Sequence, residues 1–135
     1  MDKYYLVAIV TLVSGLLCVW MSMMVSRAHA QAKIFPPQMT GDPLLERTAR
    51  AHTNTLEVMP VFLPGLWLFA LYWRPDWAAA IGTVWIIGRI AYFLGYRAAP
   101  EKRFPGFGIQ ALAVLALVLG SLGRVIYLIT MAPSG

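Results

Sequence analysis

The sequence predicts an all-α integral membrane protein, a four-helix bundle, and three observations carry that prediction. Hydrophobic residues make up 59% of the 135 positions and charged residues only 13%, with a mean hydropathy of +0.66, a membrane composition rather than that of a small soluble domain. The apolar residues gather into four runs, each near the ~20 residues a helix needs to cross ~30 Å of hydrocarbon. Most prolines and charges fall between those runs. The expectation is one domain over 1–135 with helices at about 4–26, 44–73, 76–97 and 104–131.

The first run ends in SRAHAQ, where Ala28 and Ala30 imitate a signal-peptidase site. The start MDKYY has no net positive charge and the run is longer than a signal peptide's apolar core, so retention as a membrane helix is expected. Its single cysteine, Cys18, has no partner for a disulfide and reads as a small hydrophobe. A loop over about 26–42, with IFPPQMTGDP, is barred from long helix by its prolines and glycine. The second run reaches membrane length only if its helix begins near Leu44, which places ERTARAHTNTLE on the helix. Pro60 and Pro64 lie inside it, where neighbouring helices can satisfy the freed carbonyls. Trp73, Arg74, Pro75, Asp76 and Trp77 form a tight interfacial hairpin into the third helix.

Charge placement gives an orientation. Arg27, Lys33, Arg47, Arg50, Arg97, Lys102 and Arg103 border the first and third connections, against Lys3 and Arg74 on the other side. The positive-inside rule puts those connections in the cytoplasm and both termini opposite. The net charge of +5 is thereby explained topologically; no basic stripe with interleaved aromatics points to nucleic acid.

Chemistry collects on two helices. Glu46, Arg50, Thr53, Asn54 and Glu57 recur at three and four residues and share one helical face. A solvated helix start explains Glu46, paired with Arg50. It does not explain Asn54 and Glu57, up to three turns deeper, since an unpaired carboxylate in hydrocarbon costs several kcal/mol. A polar cavity is the economical answer. Arg89, Tyr92 and Tyr96 share a face of the third helix near the same end of the bundle. A structural Arg89–Glu57 ion pair and interfacial tyrosines remain alternatives. Arg124, near the far end of the fourth helix, reads as a snorkelling anchor. Cations around a carboxylate and two phenols suit a zwitterionic, peptide-like ligand. No metal is expected, since His29 and His52 are separated by a loop and lack ligand partners.

PPQMTGDPLLERTARAHTNTLEVMPVF, then GRIAYFLGY with Arg103 seven residues after Tyr96, resemble the membrane-associated proteins in eicosanoid and glutathione metabolism (MAPEG), which include microsomal glutathione transferases and leukotriene C4 synthase. The pattern E-R-x-x-R-A-x-x-N-x-x-E is complete from Glu46 to Glu57, and the resemblance covers nearly the whole chain. It implies a homotrimer that binds glutathione between subunits near the cytoplasmic face, together with a lipophilic substrate from the membrane lipids. By motif position it assigns Arg50, His52, Asn54, Glu57, Arg89, Tyr92 and Tyr96 to glutathione and Arg103 to thiolate stabilisation. Where the synthase branch has two adjacent arginines this chain has His29 and Ala30, so His29 or Arg27 is the expected substitute. Val58 stands where that branch has a tyrosine, and His52 looks more like the transferase branch.

The implied activity is a glutathione transferase, with glutathione peroxidase activity as a second outcome of the same thiolate. The competing class is a non-catalytic lipid- or glutathione-binding scaffold, which the family also contains. A channel through Arg89 and Glu57 is disfavoured because no polar stripe reaches the other face. The short chain suggests a bacterial inner membrane.

Overall fold

A computed structural model describes residues 2–133; residue 1 and residues 134–135 of the expected 1–135 domain lie outside the described residues. Four long helices, α1 (Tyr5–Ala32), α2 (Pro43–Tyr72), α3 (Pro75–Ala98) and α4 (Phe104–Met131), follow one another as an up-down bundle. All four are long and apolar enough to cross a membrane, and the protein is a multi-pass membrane protein.

Helix α1 runs six residues past its expected end at 26. SRAHAQA lacks an apolar period, but its alanines are the strongest helix formers, and the helix stops only where Lys33 turns left-handed at φ 57°. Ser26, Arg27 and His29 are therefore helical, and the loop shrinks to 33–42. Gly41, at φ 113°, supplies the backbone freedom that loop needs just before α2.

Helix α2 starts where the Asp42 carboxylate accepts from the Leu45 amide at 2.9 Å, with Pro43 in the first helical position. It continues unbroken through Pro60 and Pro64. The α2–α3 hairpin is as tight as expected: Pro75 opens α3, and Arg74 grips Asp76 through Nε and Nη2.

Lipid tails are as apolar as leucine, so close packing, small residues and polar ties replace the hydrophobic effect as the glue between helices. On α1, Val7, Val10, Ser14, Leu17, Met21, Val25 and Ala28 form one buried stripe, while Leu12, Leu16 and Met23 face outward. Phe62 of α2 stacks on Trp85 of α3 at 3.8 Å and 9°, an arrangement worth about 0.5–1.5 kcal/mol beyond area. Trp67 donates to the Thr11 hydroxyl at 2.9 Å, tying α2 to α1.

Helix α3 is the central strut. Glycines bring α4 against it: a Cβ on Gly88 would come within 2.7 Å of the Gln110 amide, and one on Gly106 would overlap the backbone of Tyr92. That approach, together with the 3-10 turn Pro100–Arg103 that leads into α4, sets Arg103 beside the tyrosines of α3.

Candidate glutathione cleft

At the Arg103 end of the bundle, a cleft of about 520 Å³ is lined by Arg50 and Asn54 of α2, Tyr92 and Tyr96 of α3, and Arg103, Phe104 and Phe107. The Arg103 guanidinium lies 5.2 Å over the Tyr96 ring and 4.9 Å over Phe104. Tyr92 and Tyr96 meet edge-to-face at 5.7 Å, so the two phenols and the guanidinium form one wall. Aromatic stacking holds the cation in place without neutralising it.

A second cleft, about 430 Å³, lies on the other side of Arg50 and Asn54. It is lined by Glu46, Thr53 and Glu57 along α2 and by Met39 and Thr40 of the loop. The α2 stripe thus has two flanks: Arg50 and Asn54 face both clefts, while Glu57 opens only onto the second. Among the described residues neither Glu46 nor Glu57 has an ion-pair partner, and the Glu46–Arg50 pair of the sequence reading is not formed. The Arg74–Asp76 contact at the opposite end is the one ion pair there.

Arg89 lines neither cleft. It is wholly buried, its Nη1 donating to Asn54 Oδ1 at 2.8 Å and to the Thr55 hydroxyl at 3.3 Å, with its guanidinium 4.8 Å over Tyr92. It backs the cleft rather than facing it, and its partner is Asn54, not Glu57. Helix period placed Arg89 with Tyr92 and Tyr96 but did not say which of them reach the opening; Asn54 and Tyr92, the side chains Arg89 contacts, line the cleft and Arg89 does not. Nε and Nη2 of Arg89 are buried without partners, so the guanidinium has no countercharge among the described residues.

Two histidines and one arginine from the sequence reading are elsewhere. His52 is half-buried on α2; two residues from Arg50 is about 200° around a helix, so it cannot share a cleft with Arg50 in the same chain. His29 sits at the α1 end in a hollow of about 300 Å³ with Lys33, Ile34 and Phe35. Its Nδ1–H donates to the Ile34 carbonyl at 2.9 Å, because a carbonyl can only accept, and this closes the α1 terminus. Arg27 is exposed on α1 and lines neither cleft. Phe104 and Phe107, which the sequence reading missed, form the apolar lip of the first cleft; their place just after Arg103 was the available signal.

The MAPEG family model matches residues 7–123. An uncharacterized protein of Synechocystis is 42% identical over 89% of this chain and 88% of its own. Human microsomal glutathione S-transferase 2 is 38% identical over 87% of this chain and 81% of its own. Guinea pig leukotriene C4 synthase is 36% identical over 97% and 88%. A family match over most of the chain, relatives above 30% identity across nearly their full length, and four apolar helices around a cationic cleft lead to one conclusion: this chain belongs to the MAPEG family.

Proposed function

We propose that the protein is a membrane-bound glutathione transferase that activates glutathione as a thiolate for attack on lipophilic electrophiles. The observation that carries this reading is the first cleft, where Arg50, Asn54, Tyr92, Tyr96 and Arg103, which has no ion pair among the described residues, converge beneath an apolar lip. Relatives named as a glutathione transferase and a leukotriene C4 synthase support it.

Arg103 is the catalytic residue in this reading. A guanidinium held beside a thiol favours the anion and lowers its pKa by on the order of one to three units. The proton leaves to solvent, the sulfur forms a bond to the electrophilic carbon, and that carbon's leaving group departs or its strained ring opens. The same thiolate attacking a hydroperoxide oxygen would break the O–O bond, release an alcohol and leave glutathione sulfenic acid, which a second glutathione reduces to the disulfide and water; this is the peroxidase activity proposed alongside. Arg50 meets a glutathione carboxylate, Asn54 its amide backbone, Glu57 its ammonium, and Tyr92 and Tyr96 bound the sulfur end. Arg89 acts through Asn54 and Tyr92.

The active assembly in this reading is a homotrimer. Glu46, Arg50 and Glu57 are charged and exposed on a membrane helix, an arrangement costly in lipid and relieved when a second copy covers them. His52, and His29 at the α1 end, would then serve a neighbouring subunit's cleft instead of their own. The charge asymmetry of the loops supports a cytoplasmic cleft, and a Synechocystis relative supports a bacterial inner membrane, with lipophilic substrate arriving from the bilayer.

The test is to titrate the purified protein with glutathione while following thiolate absorbance. Saturable thiolate formation, lost in Arg103→Ala, is expected. Glutathione binding without thiolate or turnover would leave a scaffold of the same family, and absence of binding would sink the reading.

A further inference from the structure

The hairpin end of the bundle carries a second cationic site, unconnected to the cleft. At 1.5 Å per residue Arg124 stands about 30 Å along α4 from Arg103, the thickness of the hydrocarbon layer. It is therefore at the opposite headgroup level. Its guanidinium lies 4.8 Å over the Trp73 ring and 5.5 Å from that of Tyr127. Trp73 is itself fixed, its Nε1 donating to the Gly120 carbonyl at 2.9 Å. Gly120 makes room for Phe69, whose ring stacks on Trp73 at 6.2 Å: a Cβ there would come within 2.9 Å of the Phe69 ring.

Arg124 Nε donates to the Tyr72 carbonyl at 3.2 Å, one of the acceptors left open at the α2 terminus, where the helix dipole favours a cation. This tie uses a single donor of five. Among the described residues no carboxylate lies within ion-pair distance of Arg124. The neighbouring cation, Arg74, is already neutralised by both oxygens of Asp76. What remains is a guanidinium oriented by two rings and one carbonyl, its Nη1–Nη2 edge unspent, at the depth where phosphodiesters lie. A planar fork of this kind matches phosphate oxygens two at a time.

We propose that Arg124 binds the phosphodiester of an anionic glycerophospholipid through this edge, with Trp73 and Tyr127 as the aromatic sides of the site. With Arg74 and Asp76 cancelling, the local charge is a single positive one, which favours a headgroup of net charge −1 over a zwitterion that brings its own ammonium. The site is independent of the transferase reading, and Arg124→Gln leaves glutathione turnover unchanged.

The experiment uses the full chain in nanodiscs of phosphatidylcholine with phosphatidylglycerol, extracted and weighed by native mass spectrometry to count retained lipid. Wild type retains phosphatidylglycerol in preference to phosphatidylcholine. Arg124→Gln lowers that retention about tenfold, the weight of one charge-assisted contact, and the double change Arg74→Gln with Asp76→Asn, which removes the neighbouring pair without altering the local charge, leaves it unchanged. Arg124→Lys, which keeps the charge, loses the fork and tests the site should Arg124→Gln not fold, retains an intermediate amount. Millimolar inorganic phosphate fails to displace the lipid. Undiminished retention in either Arg124 variant, equal loss in the variant that lacks both Arg74 and Asp76, or displacement by free phosphate overturns the proposal, the last by making the ligand a soluble anion.

Discussion

The two ends of the bundle contain similar residues put to opposite uses. At the hairpin end Trp73, Arg74, Asp76 and Arg124 are tied to one another or to backbone carbonyls, so that end is braced and only the outer edge of Arg124 is left open. At the other end Arg50, Glu57, Tyr92, Tyr96 and Arg103 line two clefts, with no ion pair among the described residues. Polar side chains held in a membrane protein without partners are costly, and the economical explanation is a ligand that completes them. The difference teaches that arginine count does not identify a site; what the guanidinium has already been given does.

The sharpest way to break this comparison is Arg103→Ala. If the unpaired guanidinium is the thiolate's stabiliser, kcat falls about 10²–10³-fold, in the range seen when one preorganised transition-state donor is removed. Glutathione affinity, which the proposed function assigns chiefly to Arg50, Asn54 and Glu57, changes far less. Steady-state kinetics with an electrophilic aryl halide reads both. A fall in affinity with kcat intact would move Arg103 from catalysis to binding.

Gly106→Ala tests whether α3–α4 contact builds the cleft. The new Cβ would overlap the Tyr92 backbone, and the helices must separate, which costs about 1–3 kcal/mol as overpacking generally does. The thermal midpoint drops and Arg103 moves away from Tyr96. Gly108→Ala is the control, because a Cβ there meets nothing within 4 Å; an equal loss at both positions would mean that helix propensity, not contact, was measured.

What the sequence could and could not disclose follows from the same geometry. The α2 stripe was legible because a charge in an apolar run is conspicuous and the helical period is fixed, so Glu46, Arg50, Thr53 and Glu57 fell on one side without any structure. The start of α2 near Leu44 was legible from the length a membrane span requires; the structure adds Asp42 as its cap and Pro43 as its first residue. The end of α1 was not legible, since alanine-rich polar residues continue a helix without an apolar pattern to announce it. The burial of Arg89 was also hidden: period assigns a residue to a face, but only the packing of α2 and α4 against α3 decides which part of that face is interior. His52 is a different case. Its 200° offset from Arg50 could be computed from the letters, yet motif position alone grouped it with them.

Arg89→Met examines the buried guanidinium that lies between the two regimes, tied on one side and unpartnered on the other. Replacing a buried, uncompensated charge by an apolar side chain of similar length is commonly neutral or stabilising, so the thermal midpoint holds or rises. Asn54 loses the donor that orients it, and glutathione affinity falls about tenfold, or ~1.4 kcal/mol. Calorimetric binding and thermal unfolding, measured together, separate a positioning role from a purely structural one. Unfolding of the variant with no separable effect on binding would assign Arg89 to the fold alone.

The smallest effect belongs to the braced end, and its smallness is the point. Trp73→Phe keeps a ring for Arg124 to lie over and removes only the Nε1–H donated to the Gly120 carbonyl. One such hydrogen bond contributes about 0.5–1.5 kcal/mol net, so the thermal midpoint falls by a few degrees. Both kcat and glutathione affinity stay at wild-type values, because nothing at the hairpin end touches the cleft across roughly 30 Å of helix. A kinetic defect in Trp73→Phe would show that the two ends are mechanically coupled through α4, and the division between a braced end and an open site would have to be abandoned.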